Sequence, residues 1–503
     1  MKRLLLLFGL LPAVLQAQSD PAVQAARQWR QQHERAIVDE FIAFLSIPNV
    51  AADRDNIRRN ATALTAMMSR RGIAATLLEA PGANPVVFGE IRTPGATRTI
   101  AFYAHYDGQP LDPKEWATPP FAPALRDKAM ENGGKVIPLP AAGTAFDPES
   151  RLYARGSGDD KAPIIAIMTA LDAMRAAGLA MHSNIKFAFE GEEEANSTNL
   201  EKIFTAHRLE LAADFWLICD GPVHQTRRQS IVFGARGIAA VDVTVYGPRV
   251  ELHSGHYGNW APNPAMQLVR LLASMKDDSG RVLVDHFYDG IQPLSATERR
   301  AIAEAPQPDA ELMREFWLAA TDNAPKTLAE LITVPSLNIR GLASAKTGSQ
   351  AAGVIPSSAT AALDIRLVKG MDKDVTFARV VDHIRKQGFF VVDAEPGADV
   401  RKAHPKVARV TVRPGGYNSV RTSMDLPLSR ELIRVVERAR GAVVKIPNMG
   451  GGVPLDIFER ALGAPTVIIP IANHDDNQHS FDENIRIQNL WDGIELMAAL
   501  LTM

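Results

Sequence analysis

Residues 99–107 read TIAFYAHYD, an apolar run that ends in a histidine and an aspartate. The run from Thr99 to Ala104 is rich in β-branched and aromatic residues, which is typical of a strand buried on both faces. In open α/β sheets, ligands bind beyond the carboxyl ends of the strands. We therefore expect a buried strand whose end delivers His105 and Asp107 to a binding crevice.

The same arrangement recurs along the chain, where apolar runs are followed by acids or histidines. These runs are Ile185 to Phe189 before Glu190–Glu194, Phe215 to Cys219 before Asp220, and Thr466 to Ile471 before His474, Asp475, Asp476 and His479. A further loop, 156–161 (GSGDDK), precedes a helix-like stretch from Pro163 to Ala177. Alternating strands and helices predict an α/β domain with a mostly parallel sheet flanked by helices.

Carboxylates gathered at one crevice repel one another unless a positive charge lies among them, and a divalent metal ion supplies that charge. Cys219 is the only cysteine, and we expect it to be a buried structural thiol. The ligands must then be His and carboxylates, which suit zinc, with manganese or cobalt as alternatives. Taken alone, Glu190–Glu194 would also suit a solvated surface turn. The convergence of five segments favours a metal site.

The hydrophobic pattern changes in the middle of the chain, where apolar and polar residues alternate as in half-buried strands. This change predicts an α+β lid or dimerisation domain at residues 234–423, inserted between the two parts of the catalytic domain, 18–233 and 424–503. The elements that we predict are helices at 22–44, 57–71, 163–177, 264–275, 374–386 and 427–440, and strands at 86–91, 99–104, 185–189, 215–218, 237–245, 359–368 and 466–471.

Residues 1–17 have the layout of a secretory signal peptide. A positive start, Met1-Lys2-Arg3, precedes the apolar run Leu4 to Leu15, and small residues follow around Ala17. The run is shorter than the about 20 residues of a membrane-spanning helix. We expect an exported protein, periplasmic or secreted, that is cleaved after Ala17. An uncleaved amphipathic helix is the alternative.

The overall composition narrows the class of partner. A chain of 503 residues favours two domains. A net charge of −2 gives no basic footprint for nucleic acid and no polybasic patch for a membrane surface. We expect neither a nucleic-acid nor a membrane partner.

The ordered motifs resemble those of the zinc exopeptidase family that includes carboxypeptidase G and aminoacylase. They are most similar to its carnosine dipeptidase and cytosolic non-specific dipeptidase branch. The resemblance covers nearly the whole mature chain and rests on 103–107 (YAHYD), 158–161 (GDDK), 190–194 (EGEEE), Asp220, 252–255 (LHSG), 365–368 (IRLV) and 479–480 (HS).

The resemblance implies two zinc ions per chain, with five ligands. These are His105 and Asp220 for the first ion, Glu194 and His479 for the second, and Asp159 as a bridge between the two ions.

The resemblance also implies the catalytic roles. Glu193 would be the general base, and Asp107 would hydrogen-bond the His105 ring. In the insert, Arg366 would grip the terminal carboxylate of the substrate. His253 would reach the active site of the partner subunit in a homodimer and support the oxyanion.

Two positions depart from the dipeptidase pattern. Asn196 stands where that pattern has Gly, in the turn after the paired glutamates. Residues 450–454 (GGGVP) stand where it has two glycines and then Ser, so Gly452 lacks a hydroxyl that would help to bind substrate.

The sequence therefore predicts an exported di-zinc metallopeptidase, similar to dipeptidases and carboxypeptidases, that hydrolyses dipeptides or short peptides with metal-activated water. An amidohydrolase of N-acyl or N-carbamoyl amino acids is the alternative, with the same metals and base. A non-catalytic periplasmic binding protein is a third reading, which the presence of Glu193 and of every expected ligand disfavours.

Overall fold

The computed structural model describes residues 20–453 and 455–503, so the predicted signal peptide at 1–17 lies outside the described residues. The helices are α1 (Pro21–Leu45), α2 (Arg54–Arg70), α3 (Lys161–Ala176), α4 (Leu200–Ala206), α5 (Ser254–Tyr257), α6 (Pro264–Ala273), α7 (Ala296–Glu304), α8 (Asp309–Glu315), α9 (Leu328–Leu331), α10 (Lys373–Lys386), α11 (Ala398–Ala403), α12 (Pro427–Arg440), α13 (Leu455–Leu462) and α14 (Ile487–Leu500).

The strands are β1 (Ala75–Leu78), β2 (Val86–Ile91), β3 (Thr99–His105), β4 (Ala124–Arg126), β5 (Arg151–Tyr153), β6 (Asn184–Glu190), β7 (Phe215–Ile218), β8 (Ser230–Val232), β9 (Gly234–Ala235), β10 (Gly237–Tyr246), β11 (Leu252–His253), β12 (Ser336–Ser344), β13 (Val354–Ile355), β14 (Ser358–Leu367), β15 (Phe390–Val392), β16 (Val407–Val412), β17 (Val420–Arg421), β18 (Val444–Ile446), β19 (Thr466–Ile468) and β20 (Asn484–Arg486).

An eight-stranded mixed sheet forms the larger layer, with the strand order β1-β2-β6-β3-β7-β19-β8-β18. Its centre is parallel, from β6 through β3 and β7 to β19. Strands β1, β2 and β8 join it antiparallel. The predicted α/β class with flanking helices is confirmed, and the parallel part is the part that carries the acids and histidines.

Both faces of this sheet are buried, because successive side chains of a strand point to opposite sides. From β3, Ile100 and Phe102 join the core that contains residues of α1, α3 and α14. Ala101 and Tyr103 join a second core with residues of α4 and α13. Cys219 is buried and free, as expected. Because helices cover both faces of the sheet, its strands are continuous apolar runs in the sequence.

The insert contains a separate five-stranded sheet, with the order β12-β14-β10-β16-β15. Helices α6 and α10 pack on one of its faces, around a core of its own. The short ribbon of β9 and β17 connects the two parts of the molecule. An inserted α+β domain is therefore confirmed. The limits 234 and 423 stay a prediction, and the second sheet runs from Gly237 to Val412 within them.

Most of the predicted elements fall within a few residues of the observed ones. The strand predicted for Thr466 to Ile471 ends at Ile468 instead. Pro470 follows closely, and proline cannot donate a hydrogen bond to a neighbouring strand. No helix in the described part of the chain is long and apolar enough to cross a membrane.

Candidate active site

Three parallel strands bring their polar ends to one edge of the large sheet. Strand β3 ends at His105, β6 ends at Glu190, and β7 is followed by Cys219 and Asp220. His105 pairs directly with Glu190 in the ladder. Side chains that are far apart in sequence therefore meet in a buried crevice, as the strand-end argument predicted.

Asp159 lies between two histidines. Its Oδ1 is 2.9 Å from Nε2 of His105, and its Oδ2 is 3.2 Å from Nε2 of His479. Gln478 donates to the same Oδ2 at 2.8 Å. Each carboxylate oxygen of Asp159 thus faces a different imidazole, which is the arrangement expected of a residue that bridges two metal ions.

The remaining predicted ligands lie around this pair of histidines. Glu194 is 3.3 Å from Nε2 of His479, measured at its Oε2. Asp220 and His105 have ligand atoms within 4.8 Å of one another and of an oxygen of Asp160. His105, Asp159 and Glu194 form a second group at the same spacing. The structure therefore brings all five predicted metal ligands together.

Asp107 fixes the turn that carries the two glutamates. Its Oδ1 accepts from the backbone N–H of Glu193 at 3.1 Å, and its Oδ2 accepts from that of Glu194 at 3.0 Å. Nδ1 of His105 lies 3.4 Å from Oδ1 of Asp107 and 3.1 Å from the Asp107 carbonyl oxygen. The hydrogen bond at Nδ1 of His105 is therefore with the Asp107 carbonyl, with the Asp107 carboxylate nearby, and Asp107 also orients the turn.

Glu483 holds the loop before α3. This fully buried carboxylate accepts hydrogen bonds from the backbone N–H groups of Gly156, Gly158 and Asp159 at 2.9–3.0 Å. It also forms an ion pair with Arg155 at 2.8 Å. The position of Asp159 therefore depends on a residue more than 300 positions away in sequence.

Lys161 points away from the carboxylates of the site. Its Nζ donates to the carbonyl of Phe44 at 2.8 Å and to Oδ1 of Asn60 at 2.7 Å. Burial holds the pKa of Lys161 well below its ordinary value. This lysine anchors α3 to the N-terminal helices and does not neutralise the site.

The acids of the crevice lack a permanent positive partner. Among the residues that the structure describes, no Lys or Arg forms an ion pair with Asp107, Asp159, Asp160, Glu193, Glu194 or Asp220. Burial and the nearby charge of Asp159 raise the pKa of Glu194 to about 8 and that of Asp220 to about 6. Burial likewise raises the pKa of Glu193 well above its ordinary value.

This donor set fits divalent metal ions. It consists of imidazole and carboxylate groups only, and buried oxygens of Glu194 and Asp160 have no hydrogen-bond partner. Buried charges are normally paired or coordinate metals. Two ions would supply the charge that this crevice lacks and use the oxygens that are otherwise unsatisfied.

The candidate general base lies next to the metal ligands. Oε2 of Glu193 is 4.0 Å from Nε2 of His105, and the Glu193 side chain is 16% exposed. It lines a cavity of about 210 Å³ together with Asp159, Asp220 and His479. The carboxylate therefore borders both the ligand cluster and the space that a substrate can enter.

Arg366 lies on the second sheet, outside the metal-ligand cluster. Its Nε donates to Asp364 at 3.2 Å, and its side chain is 29% exposed. Arg366 pairs with Ile238 in the ladder between β14 and β10. It is therefore placed as a partly free guanidinium on the insert.

His253 is not brought to the cluster within this chain. It is exposed, its Nδ1 accepts from the N–H of Gly255 at 3.0 Å, and its ring lies 4.5 Å from that of His256. None of its contacts in the described part of the chain reaches a predicted metal ligand.

Comparison with known proteins decides the family. The model of peptidase family M20/M25/M40 matches residues 101–503, most of the chain, with all the candidate ligands and the base. The chain belongs to peptidase family M20/M25/M40. It is a metallopeptidase, and the resemblance read from the motifs is confirmed.

Curated relatives of this M20 peptidase cover most of its length. It is 25% identical to "Cys-Gly metallodipeptidase dug1" of Schizosaccharomyces pombe over 91% of this chain and 94% of the relative. It is 27% identical to human "Beta-Ala-His dipeptidase" over 82% of this chain and 76% of the relative.

A solved structure supports the same assignment. The M20 family metallo-carboxypeptidase Sso-CP2 from Sulfolobus solfataricus is 27% identical to this chain, with a TM-score of 0.71. The match covers 93% of this chain and 98% of that one. Both the catalytic fold and the inserted domain are thus shared with a solved member of the family.

The two departures from the dipeptidase pattern have different outcomes in this M20 peptidase. Asn196 has a φ of +65°, a left-handed conformation that favours glycine and that asparagine tolerates better than most residues. At Gly452, an added Cβ would overlap the hydroxyl of Tyr417. Asn196 is therefore a conservative replacement for glycine. At position 452, the Tyr417 hydroxyl occupies the space that the serine side chain of the dipeptidase pattern would take.

Sequence reasoning missed several residues of the site. Asp160 was quoted within its motif but given no role, although its Oδ2 accepts from the backbone N–H of His105 at 3.1 Å. Gln109 donates to Glu194 at 2.7 Å, and Glu483 organises the Asp159 loop. The doubled Asp159-Asp160 was a usable signal for Asp160. Nothing in the spacing of Gln109 or Glu483 pointed to the site.

Proposed function

We propose that this protein is an exported di-zinc dipeptidase that hydrolyses the peptide bond of dipeptides or short peptides, acting as a homodimer. One observation carries the chemistry: Asp159 lies between His105 and His479, with Glu193 beside them at the wall of a small cavity.

The proposed metal ligands divide into two sets that share Asp159. His105 and Asp220 would hold one ion, and Glu194 and His479 the other. Zinc suits this donor set, with manganese or cobalt as alternatives. Bound ions of this kind lower the pKa of a water molecule and polarise a carbonyl group.

Glu193 performs the proton transfers. Its carboxylate accepts a proton from the attacking water and then donates it to the leaving amine. Asp107 keeps this carboxylate in place, because it accepts from the Glu193 N–H and from the N–H of the following residue. The surrounding residues leave only 16% of the Glu193 side chain exposed, so the carboxylate itself is largely screened from bulk water.

Two observations support a small peptide as the substrate. The cavity of about 210 Å³ is smaller than pockets that enclose drug-sized ligands, about 300–1,000 Å³. The curated relatives named above are dipeptidases that act on Cys-Gly and on β-Ala-His. Arg366 supplies a planar, bidentate donor for the terminal carboxylate of such a substrate.

The insert supports a dimer in which sites are shared. Strand β12 is the edge of its sheet, and Ile339 and Leu342 on it are exposed apolar residues. An edge strand presents unpaired backbone groups to a partner. In the dimer, His253, which is exposed on its own chain, would reach into the active site of the partner and complete it.

The composition of the N-terminal segment described above supports export. Removal of residues 1–17 would leave a mature chain that begins near Asp20, the N-cap of α1. N-terminal sequencing of the mature protein tests this cleavage, and an intact Met1 would contradict it.

Substrate class is tested by a side-by-side panel on zinc-reconstituted enzyme. We expect measurable kcat/KM for unmodified dipeptides and much lower values for N-acetyl and N-carbamoyl amino acids. The Glu193→Gln enzyme serves as the background control on every substrate. Faster turnover of the N-acyl or N-carbamoyl series would overturn the dipeptidase assignment in favour of an amidohydrolase.

A further inference from the structure

The hydroxyl of Tyr417 lies beside Gly452, a residue that lines the active-site cavity. Gly452 lines the cavity together with Asp159, Glu193 and His479. A Cβ built at position 452 would overlap the hydroxyl oxygen of Tyr417. The phenol of Tyr417 therefore fills the space that a side chain at position 452 would occupy.

The backbone directs Tyr417 to the same side of the insert as Arg366. Ile238 exchanges two hydrogen bonds with Tyr417, at 2.9 and 3.0 Å, on one side, and it pairs with Arg366 on the other. Residues directly opposite in antiparallel strands project to the same face. Their neighbours Ala239 and Ile365 lie in the core of the insert. Tyr417 and Arg366 thus share the opposite face.

The hydroxyl of Tyr417 is available as a donor. The residue is half-buried, and the hydroxyl has no hydrogen-bond partner within residues 20–453 and 455–503. Burial raises the pKa of Tyr417, an effect that Arg366 opposes and that the nearby charge of Glu193 reinforces. The phenol consequently keeps its proton at neutral pH and can donate it to a hydrogen bond.

A dipeptide carboxylate offers more acceptor positions than Arg366 alone uses. A carboxylate has two oxygens and about four lone-pair positions, and a bidentate guanidinium fills two of them. Two strand spacings of about 4.8 Å separate Arg366 from Tyr417, so long side chains from both positions can converge on one carboxylate.

We propose that the Tyr417 hydroxyl donates a hydrogen bond to the terminal carboxylate of the substrate beside Arg366 and thereby determines specificity for free-acid peptides. This inference rests on the proposed dipeptidase function. It assigns to Tyr417 the substrate-binding hydroxyl that Gly452 lacks.

The test compares a dipeptide with its C-terminal amide on Tyr417→Phe enzyme. A hydrogen bond to a charged group contributes about 1.5–3 kcal/mol, so the KM of the free-acid dipeptide should rise about 10- to 100-fold. The inhibition constant of the amide should rise far less, because its neutral carbonyl is a weaker acceptor than a carboxylate, and kcat should stay nearly unchanged. Metal content and Tm report whether the variant is folded.

Tyr246→Phe is the matched control. Tyr246 is the last residue of β10, the strand on which Ile238 pairs with Tyr417, and it donates to Glu395 at 2.6 Å. It should lose a hydroxyl without any change in dipeptide KM. An unchanged KM in Tyr417→Phe, or an equal loss for acid and amide, overturns the inference while the dipeptidase function stands. Wild-type enzyme that hydrolyses no dipeptide overturns both.

Discussion

At the residue scale, the chemistry centres on Asp159 and Glu193, two carboxylates in the same crevice whose pKa values are shifted in opposite directions. Burial opposes ionisation of Asp159, but hydrogen bonds from His105 and His479 hold its pKa well below the ordinary value. Glu193 has no such donors, and its pKa is raised by burial. The hydrogen bonds therefore favour the ionised form of Asp159, whereas burial favours the protonated form of Glu193.

The role of Glu193 is separable from metal binding. Glu193→Gln keeps the shape of the side chain and removes the proton acceptor, so kcat should fall by about 10²–10⁴-fold. Metal content, measured by atomic emission after zinc reconstitution, should match that of the wild type, because Glu193 is not one of the proposed ligands.

Glu115→Gln provides the surface control for this change. Glu115 is exposed in the loop after β3, and the substitution should leave kcat unaltered. A Glu193→Gln enzyme with turnover close to that of the wild type would remove Glu193 from the role of base.

The meeting of the site residues was predictable where a motif follows a strand, whereas their roles were predicted from the family resemblance. The apolar runs that form β3, β6 and β7 are followed in sequence by His105, Glu193, Glu194 and Asp220. The rule that ligands bind at strand ends is enough to predict that these side chains meet in one crevice. Tyr417 and Glu483 were not predictable in this way, because their neighbours are set by contacts between distant segments. A single sequence contains no periodicity that reports such contacts.

At the element scale, the loop of residues 156–160 depends on the buried ion pair between Arg155 and Glu483. Arg155 and Glu483 are 2% and 0% exposed at the side chain. Glu483→Gln removes the charge and leaves a buried guanidinium unpaired, which costs about 3–5 kcal/mol of the free energy of unfolding. Denaturant unfolding of the zinc-free protein measures the loss.

An exposed ion pair offers the comparison. Glu79 forms an ion pair with Arg58 at 2.6 Å, and both side chains are at least half exposed. Glu79→Gln should change the free energy of unfolding by about 0–1 kcal/mol. Equal losses at positions 79 and 483 would show that Glu483 does not hold the loop in place.

At the element scale, long elements and apolar strands were predictable, whereas the three-residue strands of one small sheet were not. Helices α1 and α12 and strand β10 carry clear periodicities, β2 is an apolar run, and the observed limits of all four match the predicted ones within a residue or so. The three-stranded sheet β20-β5-β4 has three-residue strands. Strands of that length contain too few alternations to be distinguished from loops.

At the scale of the whole molecule, we propose that His253 acts in the active site of a second chain. It lies exposed on the insert, while every proposed metal ligand lies on the large-sheet domain. A homodimer would join the two, and each active site would then be composite. The single sequence could suggest this arrangement only through the family resemblance, since intramolecular patterns do not report partner surfaces.

Subunit exchange distinguishes action across the dimer from action within one chain. His253→Ala and Glu193→Gln homodimers should each have low activity. In a mixed dimer, trans action places both lesions in one site and leaves the other site intact. Activity should therefore return, up to one intact site per heterodimer, when the two variants are mixed and re-equilibrated.

Differential tags allow the heterodimer to be purified before it is assayed. Wild-type chains exchanged with Glu193→Gln chains give the reference activity for one intact site. Purified heterodimers of the two variants that stay inactive would show that His253 acts in cis or not at all.

The central claim is that Asp159 bridges two metal ions, and anomalous diffraction from crystals of the zinc-reconstituted enzyme tests it most directly. The account predicts two zinc peaks per chain on either side of Asp159. One should be liganded by His105 and Asp220, and the other by Glu194 and His479. A single peak, or ions bound without Asp159 between them, would contradict it.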